Sequence, residues 1–473
     1  MRKQNQEDIM SEKTTRPNII FYFTDQQRFD TCGCYGQQLP ITPCLDQLAA
    51  EGVCFENAFS PQPVCGPCRA IFQTGKYATD TGCYRNSIAL PQDVKTLAQW
   101  LDEAGYQTAY IGKWHLASQG ELEKKPYQDY QIEPVPLHLR GGYKGFWRTA
   151  DVLEFTSDGY GGYVFDEDMN RRDFKGYRAD CITDFALEFF DSSVKNCWEG
   201  KDGKPFFMTI SHIEPHHQNG AHHYQGPEGS KEKFANFIPP EDLKVLGGGD
   251  WQEEYPDYLG ACASLDKNLG RLVQRLKELG IYENTVIIFG ADHGSHFRTR
   301  NQDGTLRGYD DYKRTGHDSA LKVPLVISGG AFTKGGHRES QLVSTESLPK
   351  TIMALAGVQV GDAMIGENLL DVVKKKDDNR KNQVFAQISE SKVGRCIRTP
   401  EYLYAVYAPN KDGGLDMNSD SYSDDYMYHI PSDPHQLVNV VADPAHNQAK
   451  AQLRKSLLDW IQDVEGITAT IQD

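Results

Sequence analysis

The chain has 473 residues, 39% of them hydrophobic and 11% aromatic, and its 66 acidic and 50 basic side chains leave a net charge of −16. That length allows one large α/β domain plus a smaller one, and the apolar content excludes wholesale disorder. The acidic balance argues against nucleic acid and anionic membranes as partners, although a locally cationic cleft can still take an anionic substrate.

Residues 1–15 read as a polar N-terminal arm, and MRKQNQEDIMSEKTTRPN has no apolar h-region of a signal peptide. No run approaches the ~20 apolar residues of a membrane span. The eleven cysteines, including Cys181, Cys197 and Cys262 in apolar patterns, fit free thiols in a reducing cytoplasm better than a disulfide framework. A cytoplasmic location is therefore the expectation.

NIIFYFTD (18–25) predicts a buried strand ending in a carboxylate. Thr42-Pro43 opens a helix that Gly52 closes. An amphipathic helix follows over 94–104, then a strand, TAYIGKWH, with Lys113 and His115 at its carboxyl end. The Gly/Tyr-rich stretch 141–165 reads as a long irregular insertion, more a pocket-lining loop than a linker. A helix is expected over 178–192, and PFFMTISHIEPHH is a buried strand running into a His-rich loop. A long helix over 256–279 closes at Gly280, NTVIIFGADHG and VPLVISGG are further buried strands, and ESLPKTIMALA (346–356) is helical. Apolar strands alternating with helices predict an α/β domain over 16–370, built on a mostly parallel sheet covered on both faces. The charged segment KKKDDNRKN (374–382) marks a boundary. Beyond it, QVFAQISE, RCIRTPEYLYAVY and YMYHIPSD read as short strands and KAQLRKSLLDWIQDV as a terminal helix, a small four-stranded antiparallel α+β subdomain over 383–473.

Polar residues recur at the carboxyl ends of the strands: Asp25, Lys113 with His115, His212 to His217, and Asp292-His293. Open α/β sheets place their sites along that edge. The stretch VCGPCRAIFQTGK (64–76) adds a C-x-x-C pair, Cys65 and Cys68. A thioredoxin-like redox site needs a small βαβ domain and leaves Arg69 to Gly75 without a role, and zinc needs a second pair at suitable spacing.

Cys65-x-Pro67-x-Arg69 followed by Thr74-Gly75 resembles the signature of the type I, formylglycine-dependent, arylsulfatase-like sulfatases of the alkaline phosphatase superfamily. Thr24-Asp25-Gln26-Gln27-Arg28, Gly112-Lys113-Trp114-His115, Asp292-His293-Gly294, Ile397-Arg398-Thr399 and Asp433-Pro434-His435 resemble further elements of that family, in family order. The resemblance spans roughly residues 16 to 440 and implies the alkaline-phosphatase-like fold and hydrolysis of a sulfate monoester. It also implies that Cys65 is converted by a formylglycine-generating maturation enzyme to Cα-formylglycine. The hydrate of that aldehyde carries two hydroxyls, one to attack sulfur and one to expel the sulfate; a serine could take only the first step.

Asp25, Gln26, Asp292 and His293 match the family's metal positions and, with residue 65, would hold a divalent ion. The family usually has an aspartate where this chain has Gln26. Oxygen ligands favour calcium, and the nitrogen of His293 leaves manganese or another divalent ion open. Arg69 would fix the nucleophile's loop. Lys113 and Lys313, the latter placed by counting back from Val323-Pro324, would hold sulfate oxygens. His115 would serve as base and His216 as proton donor to the leaving oxygen, with His212 and His217 competing for that role. His317 would bind substrate, and His222 and His223 could line the pocket. Cys68 is a tolerated neighbour, Lys322 is structural, and Cys54 and Cys83 are small buried hydrophobes. The substrate implied is a sulfated sugar, with Tyr143, Phe146, Trp147, Tyr160 and Tyr163 offered as stacking faces. A formylglycine-dependent phosphonate monoester or phosphodiester hydrolase would share the nucleophile and metal motifs. A non-enzymatic alternative is a cysteine-rich metal or redox sensor.

Overall fold

The structure, a computed structural model, describes residues 16–119, 129–194, 203–300, 312–375 and 379–472. The arm 1–15 and Cys197 lie outside the described residues. The first twelve strands are β1 (Asn18–Thr24), β2 (Val53–Phe59), β3 (Gln107–Lys113), β4 (Phe146–Ala150), β5 (Ser157–Asp158), β6 (Gly161–Phe165), β7 (Arg171–Lys175), β8 (Phe206–Ser211), β9 (Thr285–Ala291), β10 (Lys322–Val323), β11 (Leu325–Ser328) and β12 (His337–Ser344). They form one 12-stranded sheet in the order β10-β2-β11-β9-β1-β8-β3-β4-β6-β5, with β12 on β2 and β7 on β6.

Its centre, β9-β1-β8-β3-β4, is parallel throughout. Every residue of β1, β8 and β9 is buried, the continuous apolar run that a strand covered on both faces requires. The helices Cys65–Thr74, Leu97–Glu103 and Ser347–Leu355 cover one face through Phe72, Leu101 and Ile352. The helices Pro43–Glu51, Arg178–Phe189 and Trp251–Glu278 cover the other through Leu48, Ile182 and Leu269. Thr24 lies opposite Ala291, and Ser211 opposite Phe23 and Gly112, so the carboxyl ends of four strands open onto one edge. The approach is close: Gly112 has φ +101°, and a Cβ there would stand 2.0 Å from the Ser211 carbonyl oxygen.

Several expectations are adjusted by the fold. The 94–104 helix starts at Leu97 because Thr96 and Gln99 form a reciprocal capping box. The long helix starts at Trp251 and carries Pro256 within it. VPLVISGG supplies β10 and β11 on either side of Pro324, and both run antiparallel to their neighbours. The stretch 141–165 is not irregular: β4 joins the sheet parallel to β3, and β5 and β6 extend it. Glycines on either side disguised strands whose register the neighbouring β3 imposes.

The second sheet contains β13 (Val384–Ile388), β14 (Gly394–Arg398), β15 (Tyr402–Tyr407) and β16 (Ser421–His429) as an antiparallel meander. A fifth strand, β17 (Thr470–Gln472), pairs parallel with β16 and makes this sheet larger than the four strands read from the sequence. The helix Asn447–Glu465 packs on it through Leu453, Leu457, Trp460 and Ile461. Among the described residues no helix is long and apolar enough to cross a membrane. The ten described cysteines are free.

The terminal helix is also tied to β14 by charge. Arg395 Nε and a terminal guanidinium nitrogen reach the two Glu465 carboxylate oxygens at 2.5 and 2.9 Å, with both side chains buried. Removing one partner of such a pair strands the other charge. Glu465→Ala is therefore expected to cost about 3 kcal/mol in urea unfolding; a loss below about 1 kcal/mol would show that the pair is solvent-screened instead.

Candidate active site

The site is assembled by strand ends. Asp25 and Gln26 follow β1, Lys113 ends β3, and Asp292 and His293 follow β9. Cys65 is the first residue of the helix Cys65–Thr74, which stops where Gly75 takes φ +63°. A Cβ on Gly75 would lie 2.6 Å from Met364 Cγ, so the turn needs glycine for space as well as conformation. The helix presents the Cys65 side chain to the sheet edge, where it is fully buried.

Three groups converge on its sulfur. Cys65 Sγ donates to Asp25 Oδ1 at 3.3 Å, lies 3.3 Å from His293 Nε2, and accepts from Lys313 Nζ at 3.1 Å. His115 lines the same cavity as Cys65. Asp25 Oδ2 accepts from Lys113 Nζ at 2.7 Å and from Arg69 at 2.9 Å. Arg69 also donates to the Lys113 carbonyl at 2.9 Å and to Ser211 Oγ at 2.6 Å, so it fastens the helix Cys65–Thr74 to β3 and β8. Lys313 Nζ donates to His216 Nε2 at 2.8 Å, while His216 Nδ1–H donates to the His217 carbonyl. Gln26 gives its amide nitrogen to Tyr224 OH at 2.8 Å and to Ser295 Oγ at 3.3 Å, leaving its amide oxygen unused by these contacts.

The charges are strongly biased. Burial pushes the Cys65 thiol up, but Lys113, Lys313 and His293 outweigh it and hold it well below the usual thiol range. Burial and Cys65 raise the Asp25 carboxyl, yet Lys113, His216 and Arg69 together keep it below the ordinary carboxylate range. Burial and the neighbouring Asp25 push Asp292 up to about 6. Burial, then Lys313, lowers His216, which keeps its ring neutral as the acceptor of the Lys313 proton.

Asp25, Cys65, Asp292 and His293 each offer a ligand atom, and these atoms all lie within 4.8 Å of one another. Asp292 Oδ2 is buried without a hydrogen-bond partner. Two carboxylates and a lowered thiol crowded together, one oxygen without a hydrogen bond and with the Arg69 guanidinium 3.7 Å away, fit a divalent cation.

A cavity of about 210 Å³ opens over this cluster, lined among others by Gln26, Cys65, Lys113, His115, His216 and Lys313. His317 is not part of it. Its Nδ1 meets Thr315 Oγ1 at 2.6 Å, its Nε2 meets Tyr428 OH at 3.2 Å, and its ring stacks on Tyr426 at 4.4 Å. Both nitrogens are thus spent at the junction with the second sheet, and the substrate contact expected of His317 has no free ring atom. His222 and His223 are likewise absent from the lining, and His212 is buried beneath Tyr22 at 4.9 Å; His217 does line the cavity. The expected stacking faces are displaced too. Tyr143, Phe146 and Trp147 are core residues, and neither Tyr160 nor Tyr163 lines the cavity. Val152, Glu154 and Phe155 represent that stretch instead.

Three positioning groups went unread in the sequence. Asp151 accepts from the N–H groups of Leu116, Ala117 and Ser118 at 3.0, 3.0 and 2.9 Å and so holds the turn in which His115 takes φ +60°. Asn86 Oδ1 accepts from Gly66 N–H at 2.9 Å at the start of the helix Cys65–Thr74. Glu390, beyond β13, accepts from Asn86 N–H at 2.7 Å and from Arg314 Nε at 2.5 Å, which joins that helix start to the loop bearing Lys313.

Residues 17–358 match the family model described as Sulfatase. The chain belongs to the sulfatase family. Residues 305–463 of this sulfatase match a second model, N-sulphoglucosamine sulphohydrolase, C-terminal. It is 27% identical over 467 residues to an ulvan-active sulfatase of Formosa agariphila, covering 95% of this chain and 82% of that one. It is 26% identical over 539 residues to an N-acetylglucosamine-6-O-sulfatase of Bacteroides thetaiotaomicron, covering 96% and 87%. Among solved structures, the putative sulfatase yidJ of Bacteroides fragilis superposes with a TM-score of 0.76 at 22% identity, covering 98% of each chain. A phosphonate monoester hydrolase of Silicibacter pomeroyi shares the fold with a TM-score of 0.67 at 20% identity, covering 95% and 96%. This sulfatase is accordingly a sulfuric ester hydrolase of the alkaline-phosphatase-like α/β fold.

The crowded ligand set makes a thermodynamic prediction. Calcium added to chelator-treated protein at about a hundred times its Kd should stabilise the fold by about 2.7 kcal/mol, read as a rise in Tm. Asp292→Asn should abolish most of that rise; an equal rise in the variant would place the cation elsewhere.

Proposed function

We propose that this sulfatase hydrolyses sulfate monoesters of a carbohydrate, using a formylglycine made from Cys65 and a divalent cation, calcium by the chemistry of the donors. The observation that carries the reading is the set of contacts at Cys65 Sγ, with Asp25 and His293 at 3.3 Å and Lys313 at 3.1 Å. The sulfur stands in for an oxygen of the formylglycine hydrate. A carbohydrate substrate is supported by the ulvan-active and N-acetylglucosamine-6-O-sulfatase relatives.

The hydrate would supply one hydroxyl to attack sulfur and a second to release the sulfate as the aldehyde reforms. Asp25, Gln26, Asp292, His293 and residue 65 would hold the cation, which supplies neutralising charge and a lower hydroxyl pKa. Lys113 and Lys313 bind and orient sulfate oxygens as charge builds on them. His115, in the same cavity as residue 65, accepts the proton whose removal releases sulfate. Lys313 Nζ and His216 Nε2 share one hydrogen bond, so the proton for the leaving alcohol oxygen comes from this pair. Arg69 holds the nucleophile helix and Asp25 in register.

Intact-mass analysis of protein made in a host with the maturation enzyme should show a loss of about 18 Da at Cys65, hydration aside, because oxygen replaces sulfur and two hydrogens leave. An unmodified thiol in the native host would sink the mechanism. On 4-nitrophenyl sulfate, Lys313→Ala should lower kcat/KM by about 10² to 10³, and Cys65→Ala should remove turnover. A large preference of the unsubstituted enzyme for a phosphate diester would turn the assignment to a phosphodiester or phosphonate monoester hydrolase.

A further inference from the structure

A second and larger chamber, of about 620 Å³, adjoins the catalytic cavity and shares Asn86, Ser87 and Arg314 with it. Its lining carries four cations, Arg85, Arg314, Lys392 and Lys411, against two carboxylates, Glu390 and Asp412. Two further carboxylates, Asp416 and Asp425, bind lysines of this lining from outside it, so the four cations stand against four carboxylates. Three of the cations have carboxylate partners. Arg314 meets Glu390 at 2.5 Å, Lys392 meets Asp425 at 2.5 Å and Lys411 meets Asp416 at 3.2 Å.

Arg85 differs. Among the described residues it forms an ion pair with none, and its guanidinium donates to the Asn86 carbonyl at 2.8 Å. Its Nε is buried without any hydrogen-bond partner. A half-buried guanidinium with donors to spare, beside a chamber open to ligand, is a site for a planar or tetrahedral anion.

The direction of the substrate connects the two chambers. In the mechanism proposed above the Lys313–His216 pair gives its proton to the leaving oxygen, so the alcohol portion of the ester would depart from sulfur on that side. Arg314, the neighbour of Lys313, stands in the wall common to both spaces. Tyr407, an aromatic side chain of the kind pyranoses pack on, also lines the second chamber.

We propose that the second chamber is a subsite for an anionic group, carboxylate or sulfate, on the sugar unit next to the one whose ester is cleaved, with Arg85 as its unpaired ligand. The substrate is then an anionic oligosaccharide rather than an isolated sulfated monosaccharide. The proposal takes the orientation of the ester from the sulfatase mechanism above, but its test reads binding alone.

Full-length Cys65→Ala protein, which cannot turn over, is titrated calorimetrically with three disaccharides. Each carries the same 6-O-sulfated hexosamine, joined to a neutral hexose, a hexuronate or a sulfated hexose. An acidic neighbour should tighten binding about tenfold over the neutral one, and the uronate and sulfate arms identify which anion is taken. Adding Arg85→Ala should bring the three affinities together; Arg85→Gln, with Tm monitored, serves if the alanine variant fails to fold. Equal affinities in the Arg85 protein, an advantage that survives loss of Arg85, or no binding of any probe each overturns the subsite. Failure of the sulfatase mechanism shows separately, as absence of 4-nitrophenyl sulfate hydrolysis by matured, unsubstituted enzyme.

Discussion

Everything at the active edge depends on how one buried carboxylate is neutralised. Asp25 is wholly removed from solvent, and its Oδ2 carries both Lys113 and Arg69. Burying that charge alone would be prohibitive, and its two partners would be equally costly without it. The three side chains therefore specify one another. They come from the end of β1, from β3 and from the helix that begins at Cys65, so satisfying one charge fixes three elements. Oδ1 is left facing Cys65 and His293, where the chemistry is proposed to occur.

The parallel sheet makes this convergence possible. β9, β1, β8 and β3 lie side by side with their carboxyl ends aligned, and each delivers polar residues at the point where the pairing stops. Strand interiors buried on both faces tolerate only apolar side chains, so the polar groups collect immediately beyond them. Lys313 reaches the same point from a loop outside the sheet. That loop is held from the far side: Gly316 N–H donates to Tyr426 OH, and Arg314 is bound to Glu390.

Much of this was legible in the sequence, for a physical reason. Asp25 and Asp292-His293 end unbroken apolar runs, and Cys65 stands in fixed register with Arg69, so each is marked by local context. Asp151, Asn86 and Glu390 were not legible, because each acts by accepting backbone N–H groups from segments remote in sequence, and nothing beside them announces it. His317 was misread for the complementary reason. It neighbours Lys313 in the chain, but the tyrosine that takes its Nε2, Tyr428, is 111 positions away. Tyr143 and Trp147 were misread as a platform because glycine-rich text hid the strand that draws them into the core around Tyr110 and Trp114.

The bond pattern of Glu390 bears on how the two sheets can be separated. A chain ending before Val384 would keep both lysines and all four side chains of the Asp25, Cys65, Asp292 and His293 cluster. It would lose the single carboxylate that spans Asn86 and Arg314, and with it the brace between the helix that begins at Cys65 and the loop that carries Lys313. The smaller sheet is in that sense not an appendage but the outer jaw of a vice, and the larger sheet by itself would be a complete inventory of parts without a fixed gap between them.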